Sequence, residues 1–185
     1  MFKALFGRNV NRHHAHALYG AVVARARDSR FYSEYNVPDT FDGRFEMLVM
    51  HLFLLHNRLK DEDSEARQVS QLVFDLFIDD MDAALREASV GDQAVPKRIK
   101  KMTQVFYGRT GAYEQALAQE EVQTALAATI KRNLFTDMES GGAEQALAGY
   151  MAFQAAELAD MAAATIIKAD AVFAGPLQEE AQYVA

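Results

Sequence analysis

Residues 45–55 read FEMLVMHLFLL, and this run decides the fold. In a helix of about Gly43 to Lys60, apolar side chains fall around nearly the whole circumference: Phe45, Met47, Leu48, Val49, Met50, Leu52, Phe53, Leu54, Leu55 and Leu59. A helix with no polar face belongs at the centre of a bundle, wrapped by others. Glu46 and His51 interrupt the run, which is far shorter than the ~20 apolar residues a membrane span requires.

Helix-period patterns surround this segment, and no stretch alternates apolar and polar residues as a half-buried strand would. The expected class is therefore all-α, one domain over 1–185 built as a bundle of about six to eight helices. The expected helices run from about Asn11 to Arg27, Ser64 to Ala88, Pro96 to Ala118, Glu120 to Asn133 and Ala143 to Phe173. Asp61-Glu62-Asp63-Ser64 ends the helix of about Gly43 to Lys60 and caps the second of these, and Pro96 suits a first helical turn. Gly108 and Gly111 mark a weak point in the Pro96 helix, and Gly91-Asp92 a turn before it. The ends, 1–10 and 176–185, are expected to be flexible.

Composition narrows the chemistry. The chain has 185 residues, a net charge of −7 and no cysteine. Disulfides, thiolate metal sites and thiol catalysis are excluded, and the charge argues against general nucleic-acid binding. The N-terminus lacks the pattern of a secretory signal, which points to the cytoplasm. No glycine-rich phosphate loop, no nucleophile elbow and no Ser/His/Asp grouping is present, so no catalytic residue and no cofactor is assigned.

Several clusters remain. Asp80 falls inside the apolar arc of the acidic helix, beside Val73 and Leu76, and reads as a structural buried acid whose partner is Arg109, Lys97 or a core histidine. His56, among Val49, Leu52 and Leu59, reads as a core histidine, while His51 lies nearer the residual polar side. Their spacing splays them about 140° apart, a poor arrangement for two ligands of one metal. His13, His14 and His16 near the polar N-terminus read as solvated, and no metal is assigned to them. Lys97, Arg98, Lys100 and Lys101 put four cations into five residues. They form either a solubilising face or a docking surface for an acidic protein segment, lipid headgroups or ribosomal RNA. Sequence-specific DNA reading has no supporting motif. Tyr107, Arg109 and Tyr113 are the residue types that anchor partners, and with Lys97, Arg98 and Lys101 they make up the candidate partner-binding set; the alternative for Tyr107 and Tyr113 is plain packing with their hydroxyls wet.

The stretch from Phe74 to Tyr113 carries a longer signature: Phe74 to Asp82, Leu85-Arg86-Glu87, Val90-Gly91-Asp92, Val95 to Lys101, and Phe106-Tyr107-Gly108-Arg109 with Tyr113. In these parts it resembles the ubiquinol–cytochrome c chaperone family, best over residues 44–113. The resemblance implies an assembly chaperone for the cytochrome bc1 complex, acting on newly made cytochrome b or its nascent chain. Mitochondrial members work near the membrane and the ribosome with a small partner protein, which implies peripheral contact with the inner face of the membrane here. No catalytic residue transfers. The alternative from another class is a small helical quinone- or lipid-binding protein with its Met- and Phe-rich interior as the pocket. A third reading, an enzyme, requires a polar pocket around Asp80 and His56.

Overall fold

In a computed structural model the structure describes residues 2–136, 139–168 and 172–173, with side chains from residue 10 onward. The elements are α1 (Phe2–Ala26), α2 (Ser29–Ser33), α3 (Phe41–Leu59), α4 (Ser64–Glu87), α5 (Val95–Leu117), α6 (Val122–Leu134), α7 (Ala143–Asp160) and α8 (Ala163–Ile166). No strand occurs among the described residues, and the chain is all-α. The helix α3 is the hub: α1, α4, α5 and α7 all pack on it. Every residue from Phe45 to Leu55 is buried, as the all-round apolar pattern requires.

Local chemistry sets the helix starts. The Thr40 hydroxyl accepts from the Gly43 amide to cap α3, and the Asp63 carboxylate accepts from Glu65 and Ala66 to cap α4. Gly43 is required for packing as well, since a Cβ there would stand 2.0 Å from the Pro38 carbonyl oxygen. That close approach seats the 36–40 loop against the entrance of α3.

Four details differ from the sequence reading. The helix α1 starts at Phe2, so it takes in most of the segment expected to be loose. Side chains up to residue 9, and the whole of 176–185, lie outside the described residues. The helix α5 runs unbroken through Gly108 and Gly111. A closure not read from the sequence also ends α4, with Ser89 left-handed at φ 58°, ahead of the Gly91-Asp92 turn. There the Ser89 and Val90 amides donate to Arg86 and Leu85 carbonyls, a Schellman closure made without glycine.

The fourth difference concerns the C-terminal helix, expected to continue to Phe173. It stops at Asp160, and Met161 is extended. The Arg58 guanidinium donates to the carbonyls of Leu158 at 2.8 Å and Met161 at 2.7 Å, satisfying acceptors the helix end leaves open. The alanine-rich sequence would propagate a helix, but this contact from α3 ends it. The chain then turns Ile166, Ile167 and Val172 into the core.

Candidate functional site

Two clefts flank α5. The first lies between α3, α4 and α5 and has a volume of about 340 Å³. Its apolar wall is an aromatic cluster: Phe74 stacks at 4.9 Å from Phe106 and 5.9 Å from Tyr107, and Phe106 sits 5.8 Å from Phe77. Tyr107 is 61% exposed, so this wall opens to solvent. The rim is polar. His56 Nδ1 and Ser70 Oγ are 3.0 Å apart, and Lys60 pairs with Glu114 across the α3–α5 edge. Partial burial, and then the charge of Lys60, holds the His56 imidazole below its ordinary pKa, leaving it neutral at pH 7. Gly111 also lines the groove, with nothing within 4 Å of where its Cβ would stand.

The second cleft, about 610 Å³, lies where the start of α3 meets α5 and the end of α6. Phe41, Arg98, Lys101 and Met102 line its outer part. At its base Arg109 Nε donates to both carboxylate oxygens of Glu46, at 2.9 and 3.1 Å, and its Nη1 donates to Asn133 Oδ1 at 2.9 Å. Glu46 is 8% exposed. Burial pushes its carboxyl above the ordinary range, and Arg109 is the counterweight that keeps the charge tolerable. Tyr113 is 1% exposed, and burial, reinforced by the Glu46 charge, raises its hydroxyl pKa.

The structure therefore divides the sequence-derived partner set. Lys97, Arg98 and Lys101 are exposed on the first turns of α5. Tyr107 is exposed on the other cleft. Arg109 and Tyr113 were expected as surface anchors, and they are corrected here: one is committed to a buried carboxylate, the other is core.

Asp80 is corrected too. It is half-buried, and it accepts from the Tyr19 hydroxyl at 2.7 Å, so its partner comes from α1 and is none of the three expected. The histidines of α3 exchange roles. His51 is fully buried, while His56 sits at the groove rim. His51 Nδ1 faces the Met47 carbonyl at 2.7 Å and therefore carries the proton; its Nε2 accepts from the Tyr150 hydroxyl at 2.5 Å. Arg25 Nε in turn donates to that hydroxyl at 3.1 Å. Burial lowers His51 to about 4, so it is neutral.

His13 and His16 are exposed, and among the described residues no three His, Cys, Asp or Glu side chains are grouped to hold a metal. The alternative reading takes the Met- and Phe-rich interior as a ligand pocket; of that interior, Met47, Met50, Phe31 and Phe77 are packed core residues at 1% exposure or less. Asp80 and His56 line separate clefts, so the polar pocket that the enzyme reading requires is not formed by them. Among the described residues no helix is long and apolar enough to cross a membrane.

Sequence reasoning missed Glu46, Asn133, Tyr150 and Phe41. Only Glu46 carried a signal: a carboxylate inside the apolar run needs a cation, and it comes from 63 residues further on.

Comparison with known proteins agrees with this architecture. The chain is similar to the crystallised Cbp3 homolog from Brucella abortus, with a TM-score of 0.83 and 38% identity over 95% of this chain and 97% of that one. It is 22% identical over 118 residues to ubiquinol–cytochrome c reductase complex assembly factor 1 of Mus musculus, covering 64% of this chain and 39% of the relative. To the Xenopus laevis assembly factor 1 it is 20% identical, covering 63% and 58%. The chain thus spans less than two thirds of these relatives' length. The model of the ubiquinol–cytochrome C chaperone family matches residues 33–173, from the end of α2 to the last described residues. On that match the chain belongs to the ubiquinol–cytochrome c chaperone family.

Proposed function

We propose that this chain is an assembly chaperone of the ubiquinol–cytochrome c reductase complex and that its client is newly made cytochrome b. It acts by binding and not by catalysis, in the cytoplasm and at the inner face of the membrane. Family membership and the names of the curated relatives support the complex. The observation that carries the client reading is the open aromatic groove between α3, α4 and α5, with Tyr107 61% exposed at its mouth.

A membrane subunit not yet inserted exposes apolar side chains to water, and a groove that covers some of them lowers that cost at about 25 cal/mol per Å². Phe74 and Phe106 offer the apolar surface, and the Lys60–Glu114 and His56–Ser70 pairs keep the rim wet and the groove open. Exposed tyrosine is a common anchor at such interfaces because its ring packs while its hydroxyl stays hydrated.

The test uses a photo-crosslinking residue at position 107 in cells, with and without Gly111→Leu. A leucine at 111 projects into open groove space and removes a helix-interior glycine, which is worth about 1 kcal/mol relative to alanine. The fold is therefore retained while the groove is filled. Cytochrome b peptides captured at 107, and lost on Gly111→Leu, are the expected result. Absence of cytochrome b from the adducts while the complex assembles, or capture indifferent to Gly111→Leu, overturns the groove reading.

A further inference from the structure

We infer that the second cleft's outer rim, the first turns of α5 together with Phe41, is a docking surface for an anionic lipid bilayer. This rests on the membrane location proposed above, to which it adds the surface and the lipid charge, and it is independent of the client groove.

The rim concentrates positive charge on a chain of net charge −7. Lys97, Arg98, Lys100 and Lys101 are all exposed, and among the described residues none of them is in an ion pair. Elsewhere in the bundle Arg58, Lys60, Arg86 and Arg109 each face a carboxylate. The placement also runs against helix electrostatics. The start of a helix is already positive and favours acids. The helices α3 and α4 obey, with Asp42 and Glu65 in their first turns and side-chain caps at Thr40 and Asp63. The start of α5 has no acid in its first turn and no side-chain cap, and it adds lysine and arginine. An acid-free, uncapped start also occurs at α6, so what sets α5 apart is the added lysine and arginine, which fit a surface that serves a contact outside the bundle.

Phe41 selects the occupant. It is 49% exposed and lines the same cleft as Arg98, Lys101 and the half-buried Met102. Cations flanking an exposed phenylalanine match the bilayer interface, where phosphate headgroups meet the cations and the ring enters the acyl boundary. A phosphate backbone alone gives Phe41 and Met102 no apolar partner. Asp42 on the same rim limits the attraction, so the contact is peripheral and reversible.

The experiment is vesicle co-sedimentation of the full chain. Phosphatidylcholine vesicles are compared with vesicles holding ~30% phosphatidylglycerol, at ~50 mM and ~500 mM salt, which moves the Debye length from about 14 to 4 Å. Binding to the anionic vesicles that falls with salt, and none to neutral ones, is expected. The triple variant Lys97→Gln/Arg98→Gln/Lys101→Gln should lose roughly fivefold per cation, on the order of 100-fold in partition. Phe41→Ser should weaken binding severalfold, and its effect should survive high salt. Circular dichroism of both variants should match the parent, since all four positions are exposed; Gly111→Leu should bind vesicles normally. Binding that ignores lipid charge, or a triple variant that binds like the parent, overturns the proposal. So does a result in which the triple variant loses purified ribosomal RNA but keeps the vesicles, which would make RNA the occupant.

Discussion

The two halves of α5 use the same residue types for opposite ends. In the N-terminal half Arg98 is exposed and free of ion pairs among the described residues; in the C-terminal half Arg109 is locked onto Glu46 and Asn133. Tyr107 and Tyr113 diverge in the same way, at 61% and 1% exposure within two turns. What separates them is the facing element. Arg109 meets a carboxylate that α3 has carried into the core, whereas Arg98 meets only a cleft. A cation's task is set by what lies opposite it, and the helix's own sequence does not contain that information.

The comparison is easiest to break at the tyrosines. Tyr113→Ala removes a ring packed 5.5 Å from Phe53 and should cost about 3–5 kcal/mol in chemical denaturation. Tyr107→Ala should stay within about 0.5 kcal/mol, and it should lose client capture. If the two variants unfolded alike, the inward and outward assignment would be wrong. The arginines follow. Arg109→Met leaves Glu46 buried beside no cation and should destabilise by about 3 kcal/mol, while Arg98→Met should be nearly neutral. The pH dependence carries the signature. Burial already raises the Glu46 pKa, and without Arg109 it rises further. A carboxyl whose folded pKa is raised weighs against the fold above that pKa and is relieved as pH falls through it. The Arg109→Met deficit should therefore shrink as pH is lowered from neutrality.

His51 sharpens the same point with the opposite sign. Its folded pKa of about 4 lies below the ordinary 6.5, so the unfolded chain takes up the proton first. Its contribution is fully present above pH 6.5 and is lost as pH falls from there to about 4, on the order of 2–3 kcal/mol. Urea midpoints across that window should decline in the parent and decline less in His51→Gln, whose starting stability is lower. A parent flat from pH 6.5 to 4 would mean that His51 is not held neutral.

The sequence was most legible where a pattern is local and redundant. The all-round apolar run of 45–55 could only be a central helix, and Asp61-Glu62-Asp63-Ser64 and Pro96 announced the starts of α4 and α5 by chemistry within one turn. It was least legible where a distant residue decides. When almost every position of a helix is apolar, angular position cannot say which histidine is buried. Tyr150, 99 residues away, made that choice for His51. Arg58 ends α7 from 100 residues upstream, against the helix propensity of its alanines. Tyr19, 61 residues before Asp80, supplies the partner that was expected from Arg109, Lys97 or a core histidine. Within the candidate site the same limit applied: Tyr107 and the exposed cations were readable, but the pairing of Arg109 and the burial of Tyr113 depended on α3 and α6.

The smallest predicted effect is the most discriminating. Lys97 sits in the first turn of α5, where a cation opposes the helix dipole and a glutamate would favour it. Lys97→Glu should therefore stabilise the protein, by about 0.3–1 kcal/mol at low salt, with the gain fading as salt is added. The same change should weaken binding to anionic vesicles. A surface lysine kept only for solubility would show the stability gain with no loss of vesicle binding. A gain in stability joined to a loss of lipid binding would mean that the start of α5 has been held below its stability optimum by a demand from outside the bundle. Thermal melts and vesicle sedimentation on one preparation at two salt concentrations decide between the two.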